Sequence, residues 1–322
     1  MRRQTLALVV VGTFLLAGVA GRALAEVAKP AYRVGDFWSY ATNLTEGLGL
    51  SFDGASRVEV VRFGAASVQG SEIPIAELLV TGGGRFSGSS PGVGTATGTW
   101  SITGTEAWET GTWKSVRSFF RLTAKGEITS GPTPLPFTLT VLNETTRRTT
   151  EDTWPWPVVE GTTGSWTAHW DVSQNITFSI PGVPGGWNAS RYDADYAIDY
   201  EHVRAERVTV PAGAFDGHVI REEGPEGGSR LRWYAPRAGN DVLQEEFNAS
   251  GGRVARAELR EFAYLAGEPS PTVPWLIGVN VALGGVAVVL LGAIAVRRRR
   301  RHVDVWMPPQ PGGEQGPSKP LP

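Results

Sequence analysis

The chain of 322 residues contains no cysteine. This absence excludes disulfide bonds, and it excludes the lipid-modified cysteine that attaches many exported proteins to a membrane. Histidine is also scarce, and only His169, His202 and His218 precede the long apolar segment near the C-terminus. None of the three has the H-E-x-x-H spacing of a zinc site, so we expect no metal centre from them.

Basic charge and phosphate-binding motifs are lacking as well. Residues 26–272 carry 21 Lys and Arg against 30 Asp and Glu, so this part of the chain has no basic surface for nucleic acid. The glycine-rich run Gly82–Gly94, within the turn-rich connector Gly82–Gly98, is not followed by the Lys-Ser/Thr of a phosphate-binding loop, and we interpret it as a flexible loop. We therefore expect no cofactor, no nucleic-acid partner and no enzymatic activity.

Uncharged residues fill one long stretch, Val273–Val296. At about 1.5 Å per residue, a helix of this length crosses the hydrocarbon core of a bilayer, so we predict a transmembrane helix. Five consecutive arginines follow it: Arg297, Arg298, Arg299, Arg300 and Arg301. The positive-inside rule keeps them in the cytoplasm and places the preceding residues outside. The small pair Gly278 and Ala282, with the polar Asn280, predicts a homodimer through this helix.

The N-terminus has the pattern of a secretory signal peptide. Arg2 and Arg3 precede the apolar stretch Leu6–Ala20, and Ala23-Leu24-Ala25 forms a cleavage site. We predict a signal peptide (1–25), an ectodomain (26–268, as one unit or as halves 26–150 and 151–268), a short stalk (269–272), the transmembrane helix (273–296) and a basic tail rich in Pro and Gly (297–322). The predicted location is the cell membrane, with a single span and a cytoplasmic C-terminus.

Asparagine is rare outside the membrane, yet nearly all of it lies in N-x-[ST] sequons. Residues 26–272 have six asparagines, and five of them begin sequons: Asn43, Asn143, Asn175, Asn188 and Asn248. Chance would place about one there, because Ser and Thr make up roughly a fifth of such a chain. We predict that these are N-glycosylation sites. Glycans without cysteine favour an archaeal envelope protein.

An alternation of apolar and polar residues dominates the ectodomain. In Ser165–Ile180 nearly all even positions are apolar and all odd positions are polar, and Arg191–His202 repeats the pattern. Similar segments recur along the chain with no βαβ alternation, so we predict an antiparallel all-β domain. Val254–Leu265 is compatible with either a helix or a strand. The carboxylates Asp193, Asp195, Asp199 and Glu201 share one strand face, which is either solvated or a calcium site.

Aromatic residues on the apolar faces of these two strands are candidates for a ligand groove. They are Trp166, Trp170, Phe178, Tyr192 and Tyr196. Exposed aromatic rings line apolar pockets and stack on sugars, whereas buried rings fill β cores. The sequence alone leaves core packing, an apolar groove and a glycan platform open.

Two motifs carry a family resemblance. Tyr32-Arg33-Val34-Gly35-Asp36-Phe37-Trp38-Ser39-Tyr40 has the form Y-x-V-G-D-x-W-x-Y, and Val208–Phe215 followed by Trp233-Tyr234-Ala235-Pro236 has the form V-x-V-P-A-G-[TA]-F … W-Y-[AS]-P. Both resemble poorly characterised secreted proteins, many of them archaeal. These are similar to envelope domains of the LolA and LppX kind, which implies a large curved antiparallel sheet forming a half-barrel. The resemblance implies no catalytic residues.

Three functions follow as hypotheses. The first is a membrane-anchored, glycosylated surface protein whose β domain binds an apolar or extended ligand. The second is a structural or adhesive envelope component, with an envelope glycan or protein as its partner. The third is a hydrolase of envelope polymers, which requires His169 or His202 to lie beside a carboxylate in a cleft.

Overall fold

The computed structural model describes residue 27 and residues 29–45, 50–90, 94–129, 133–152, 159–224 and 227–264. Its regular structure consists of twelve strands. They are β1 (Phe37–Thr45), β2 (Leu50–Val68), β3 (Ser71–Ser90), β4 (Gly94–Glu109), β5 (Ser115–Thr129), β6 (Leu135–Asp152), β7 (Thr163–Ile180), β8 (Val183–Val210), β9 (Gly213–Glu223), β10 (Ser229–Ala235), β11 (Asn240–Phe247) and β12 (Arg253–Ala263). The predicted all-β class is confirmed.

The strands form a closed antiparallel barrel in which each strand lies beside its neighbours in sequence. The first strand closes it, because β1 pairs with β2 on one side and with β12 on the other. The predicted half-barrel is therefore wrong: pairing of the two terminal strands satisfies backbone groups that a half-barrel would leave exposed. Strands from both predicted halves of the ectodomain belong to this one barrel.

Two local predictions are corrected by the strand pairing. Gly82–Gly98 is not a flexible loop, because its residues continue β3 to Ser90 and begin β4 at Gly94. The ambiguous segment Val254–Leu265 lies mostly in strand β12, where pairing with both β11 and β1 outweighs its helix propensity.

Glycines in β2 to β5 allow aromatic rings to lie directly on the backbone. A Cβ atom built on Gly98 would lie 2.6 Å from Phe86 Cζ and 2.2 Å from the carbonyl oxygen of Lys125. A Cβ atom on Gly54 would similarly lie 2.6 Å from Trp100 Cζ2. No other residue fits such sites without displacing a ring or a neighbouring strand.

Side chains of strands that are not neighbours touch in the barrel interior. Phe86 on β3 and Phe137 on β6 have ring centroids 5.9 Å apart, although their strands are not neighbours. Phe52 and Phe178 extend this row on either side, at 5.8 Å in each case. Side chains such as Leu78, Val80 and Leu122 are fully buried nearby. The interior between β2 and β7 is therefore a packed core.

The two family-like motifs meet at the end of the barrel that carries the β8–β9 and β10–β11 turns, the start of β1 and the end of β12, which we call the closed end. Three aromatic side chains of the first motif donate hydrogen bonds to carbonyl oxygens of the β10–β11 turn and of β11. Tyr32 Oη donates to Gly239 (3.0 Å), Trp38 Nε1 to Ala238 (2.6 Å) and Tyr40 Oη to Asp241 (2.9 Å). All three rings are buried, so these bonds fix the turn beneath the core.

The predicted hairpin at the V-x-V-P-A-G-[TA]-F motif is present. Val210 pairs with Gly213 across the Pro211-Ala212 turn, and Gly213 has a φ of 124°, which favours glycine. The amide of Ala212 donates to the carbonyl oxygen of Leu259 at 2.9 Å. The hairpin therefore reaches past β10 and β11 to β12 and secures the last strand.

Several predicted segments lie outside the described residues. These are the signal peptide, the stalk, the transmembrane span and the tail. Within the described ranges the ordered elements are strands, and none is a helix able to span a bilayer.

Gly239→Ala should destabilise the barrel strongly. Gly239 has a φ of 65°, and a Cβ atom there would lie 2.6 Å from the ring of Tyr264. We expect a loss of about 2–4 kcal/mol in the free energy of unfolding, because the backbone strain and the clash add. Chemical denaturation of the full chain in detergent, followed by tryptophan fluorescence, measures it.

Gly251→Ala is the matched control. Its φ is 79°, but no atom lies within 4 Å of the added Cβ atom. This variant should lose only about 1 kcal/mol from backbone strain. Equal losses in the two variants would show that the contact with Tyr264 is unimportant.

Candidate functional site

The upper part of β8 has an unpaired edge. Residues 183–198 pair with β7, whereas β9 begins to pair with β8 only at Asp199. Among the described strands, none lies along the other side of residues 183–198. Trp187 is 75% exposed and Tyr192 44% exposed on this stretch. The edge therefore offers free backbone donors and acceptors beside accessible aromatic rings.

The five candidate groove residues share one face of the β7–β8 hairpin. Across the two strands, Trp166 lies opposite Ile198, Trp170 opposite Ala194 and Phe178 opposite Gly186. Tyr192 and Tyr196 occupy the same face of β8. This face is the one that turns toward the barrel interior, since Phe178 packs against the main core.

Their environments differ along the hairpin. Trp166, Trp170 and Tyr196 form a small cluster, and the rings of Trp166 and Tyr196 meet edge to face at 5.1 Å. Trp166 is buried, and the Lys114 ammonium group lies 5.1 Å from its ring centroid. Phe178 belongs with the main core, while Tyr192 is exposed between the two groups. An aromatic strip thus runs along Trp170, Tyr192 and Tyr196 rather than through all five residues, and in it Tyr192 is exposed whereas Trp170 and Tyr196 are partly buried.

Charged side chains cover the opposite face of the hairpin. Arg148 bonds both Asp171 and Asp193, and His169 Nδ1 lies 2.5 Å from Asp195 Oδ1. The side chains of Asp193 and Asp195 remain 67% and 76% exposed. In the described ranges no group of three or more His, Asp or Glu residues is arranged to hold a metal ion.

An ion-pair network lines the interior wall formed by β9, β10 and β11. Arg232 bonds Glu222 at 2.7 Å and Asp241 at 2.8 Å, and both carboxylates are buried with it. Arg230 joins Glu222 to Glu246. Gln244 Nε2 donates to Asp241 Oδ2 at 2.7 Å. This polar wall lies below Tyr196 and faces the apolar core of β1 to β7.

Burial and charge act in opposite directions on these carboxyl groups. Burial tends to raise the pKa of Glu222, but Arg232 and Arg230 together outweigh it and the pKa falls. For Asp241, burial outweighs Arg232 and the pKa rises. Buried pairs of this kind cost desolvation, and removing one partner leaves an uncompensated charge. The network therefore favours one arrangement of β9, β10 and β11.

Neither candidate histidine meets the requirements of a hydrolase. His169 pairs with Asp195 on an exposed strand face, not in a cleft. His202 lies against His218, with ring centroids 5.3 Å apart, and both rings are buried. Burial lowers the pKa of His202, and burial with His202 nearby lowers the pKa of His218 to about 4. This pair is neutral at pH 7.

One buried carboxyl group lies apart from this ion-pair network, among the apolar side chains of β4 and its neighbours. Glu106 on β4 is 3% exposed and lies beside Trp108. Burial raises its pKa to about 8, and interactions with Ser115 and Trp108 offset part of the effect. A raised pKa often marks catalytic carboxyl groups, but this one has no solvent access and lies in a packed interior.

Four of the five sequon asparagines are exposed: Asn43, Asn175, Asn188 and Asn248. Asn143 is only 1% exposed, because it continues the inward row of Phe137, Leu139 and Val141 on β6. A glycan does not fit there in the folded barrel. The odd-numbered apolar row was visible in the sequence and could have revealed this.

The comparisons with known proteins add little. No protein-family model matches the chain, and no curated protein matches it. A solved structure from Bacteroides fragilis, described as having a YmcC-like fold, shares 14% identity and covers 74% of this chain and 100% of its own, with a TM-score of 0.30. A similarity this weak supports no inference about function.

Glu106→Gln should remove a pH dependence of stability. In the unfolded chain this carboxyl group ionises near 4.5, whereas in the barrel it keeps its proton to about pH 8. The free energy of unfolding therefore falls as pH rises from 4.5 to 8. We expect the variant to gain stability at pH 9 by several kcal/mol at most, since one pKa unit is worth about 1.4 kcal/mol.

Thermal unfolding at pH 5 and pH 9 measures this difference. Glu127→Gln, at an exposed position on β5, is the control and should leave the profile of the native protein unchanged. A profile for Glu106→Gln that matches the native one would contradict the assigned pKa.

Proposed function

We propose that the protein is a membrane-anchored cell-surface protein whose barrel binds an extended ligand without catalysing a reaction. The observation that carries this proposal is the unpaired edge of β8 beside the aromatic strip, in which Tyr192 is exposed and Trp170 and Tyr196 are partly buried. An extended ligand can add a strand to such an edge, and its apolar groups then contact the aromatic strip.

The packed core supports binding at the edge rather than inside the barrel. Trp166 is buried and Phe178 packs against the main core, so neither lines a free channel. The resemblance to LolA-like domains predicts acyl chains held within a concave sheet. We therefore place an apolar ligand at the upper part of the β7–β8 hairpin instead of inside the barrel. An apolar chain would lie along Tyr192 and Trp170 at the barrel mouth.

The anchor remains part of the proposal on sequence grounds. Val273–Val296 followed by Arg297–Arg301 favours a single span with a cytoplasmic tail. The last described residue, Tyr264, leaves the barrel only nine positions before this segment. The closed end of the barrel would then lie near the membrane, and the unpaired edge of β8 would lie farther from it.

A second candidate is a structural or adhesive component of the envelope. The observation that favours it is the packing of buried apolar side chains between β2 and β7, where rings from non-neighbouring strands are in contact. Crosslinking on whole cells, followed by identification of the joined peptides, separates this role from ligand carriage. An adhesive role requires protein neighbours joined through the β7–β8 hairpin.

Glycosylation should follow exposure rather than sequon count. We expect N-glycans at the exposed Asn43, Asn175 and Asn248, and none at Asn143, whose side chain points into the core; a glycan at the exposed Asn188 would cover the edge of β8 and is expected only on copies whose edge is unoccupied. Mass spectrometry of glycopeptides from protein made in its own host measures the occupancy of each site. An occupied Asn143 in folded protein would contradict the register of β6.

Tyr192→Ser should reduce ligand binding at the edge. The full chain is purified from its native membranes in polymer-bounded lipid discs, and native mass spectrometry measures the bound mass. We expect a bound extended molecule, with occupancy falling roughly tenfold in the variant because about 1–2 kcal/mol of apolar contact is lost. Phe119→Ser is the control, since Phe119 is 43% exposed on β5 and Tyr192 is 44% exposed. Equal binding by both variants would refute an edge site.

A further inference from the structure

We propose that the ligand of the β8 edge is the same edge of a second copy of this chain, paired antiparallel about a two-fold axis at Tyr192. This inference rests on the proposed role of the edge as a binding surface. Among the described strands, residues 186–198 pair only with β7, and an isologous contact uses one surface on both copies. The shared sheet would then run continuously from one barrel into the other.

Charge complementarity sets the register. With Tyr192 on the axis, Arg191 of each copy lies opposite Asp193 of the other, so the contact contains this ion pair twice. Asp193 is 67% exposed and already lies on the charged face of the hairpin, where an opposing guanidinium can reach it. Opposite charges directly across a strand pair stabilise it, whereas like charges oppose pairing.

The same register gives partners to the exposed rings. Trp187, which is 75% exposed, lies opposite the small Ala197. Tyr192 meets its own copy on the inner face, and Tyr196 lies opposite Asn188. Inner residues therefore face inner residues and outer residues face outer ones, as a continuous sheet requires.

Neighbouring registers are worse. A two-fold axis at Ala194 places Asp193 opposite Asp195, which opposes two carboxylates. An axis at Ser190 separates Arg191 from Asp193 and places Asp193 opposite Trp187. An axis between two residues sets inner side chains against outer ones and exposes the apolar row.

Antiparallel pairing also sets the relative direction of the two barrels. The chain leaves β12 at the closed end, and the closed ends of the two copies would point in broadly opposite directions. Copies anchored at their C-termini on facing membranes can meet this way more easily than neighbours in one membrane. The contact then suits adhesion between surfaces.

Cysteine trapping tests the register in a chain that has no cysteine of its own. Ser190→Cys, Tyr192→Cys, Ala194→Cys and the control Phe119→Cys are made in the full chain and treated with a short thiol-to-thiol crosslinker. The host should lack N-glycosylation, because a glycan on Asn188 would crowd Tyr196 of the other copy. We expect the highest dimer yield at residue 192, several times that of the control. A maximum elsewhere, or equal yields at all four positions, would overturn the proposal.

Charge exchange gives an independent measurement on Tyr192→Cys protein. Adding Arg191→Asp should lower the dimer yield roughly tenfold, because two attractive pairs become repulsive. Adding Asp193→Arg to that variant should restore the yield. Failure of the restoration would show that this ion pair does not set the register.

Two vesicle populations carrying differently tagged Tyr192→Cys protein test the direction of the contact. We expect crosslinks that join the two tags across vesicles. Crosslinks confined to one population would refute contact between facing membranes. If residue 192 traps no dimer while Tyr192→Ser still loses a bound ligand, the dimer is wrong and the binding role stands; if both experiments fail, both proposals are wrong.

Discussion

Closure of the barrel depends on the hydrogen bonds between the first motif and the segment that joins β10 to β11. Tyr32, Trp38 and Tyr40 donate from buried rings to carbonyl oxygens at residues 238–241, beside the pairing of β1 with β12. Each donor would otherwise be buried without a partner, which costs about 1–3 kcal/mol. The ion-pair network of β9 to β11 shares Asp241 with these hydrogen bonds, and the β8–β9 hairpin contacts β12 at Leu259.

The closed end is rigidly specified, whereas the opposite end is not. Buried rings and the Pro211-Ala212 hairpin converge at the closed end, while the upper half of β8 pairs with β7 alone among the described strands. Edges of this kind normally carry charge or another covering to prevent uncontrolled pairing. Here Asp193 and Asp195 stand on the outer face, and a sequon lies at Asn188. The protein thus combines a closed end of fixed structure with an edge of β8 that is suited to selective contact.

Sequence reasoning predicts strands well where one face is covered. The alternation in Ser165–Ile180 places Trp166 and Phe178 on the inner face, and β7 has this arrangement. Coverage of that face is a tertiary property: Trp166 is buried partly because Lys114 approaches from another loop. Barrel closure likewise depends on pairing between distant strands, which local patterns do not encode. The glycines of residues 82–90 and 94–98 lie in β3 and β4, which composition does not predict because glycine occurs both in mobile loops and in closely packed strands.

The rings that lie on glycine in β2 to β5 have an evolutionary consequence. Phe86 needs Gly98 beneath it, and Trp100 needs Gly54. A side chain at either glycine displaces its ring, and a smaller residue in place of the ring leaves a void above the bare backbone. A substitution at either glycine is therefore tolerated only together with a substitution of the ring that lies on it. Among relatives these positions should covary as pairs, even where the rest of the glycine-rich stretch drifts freely.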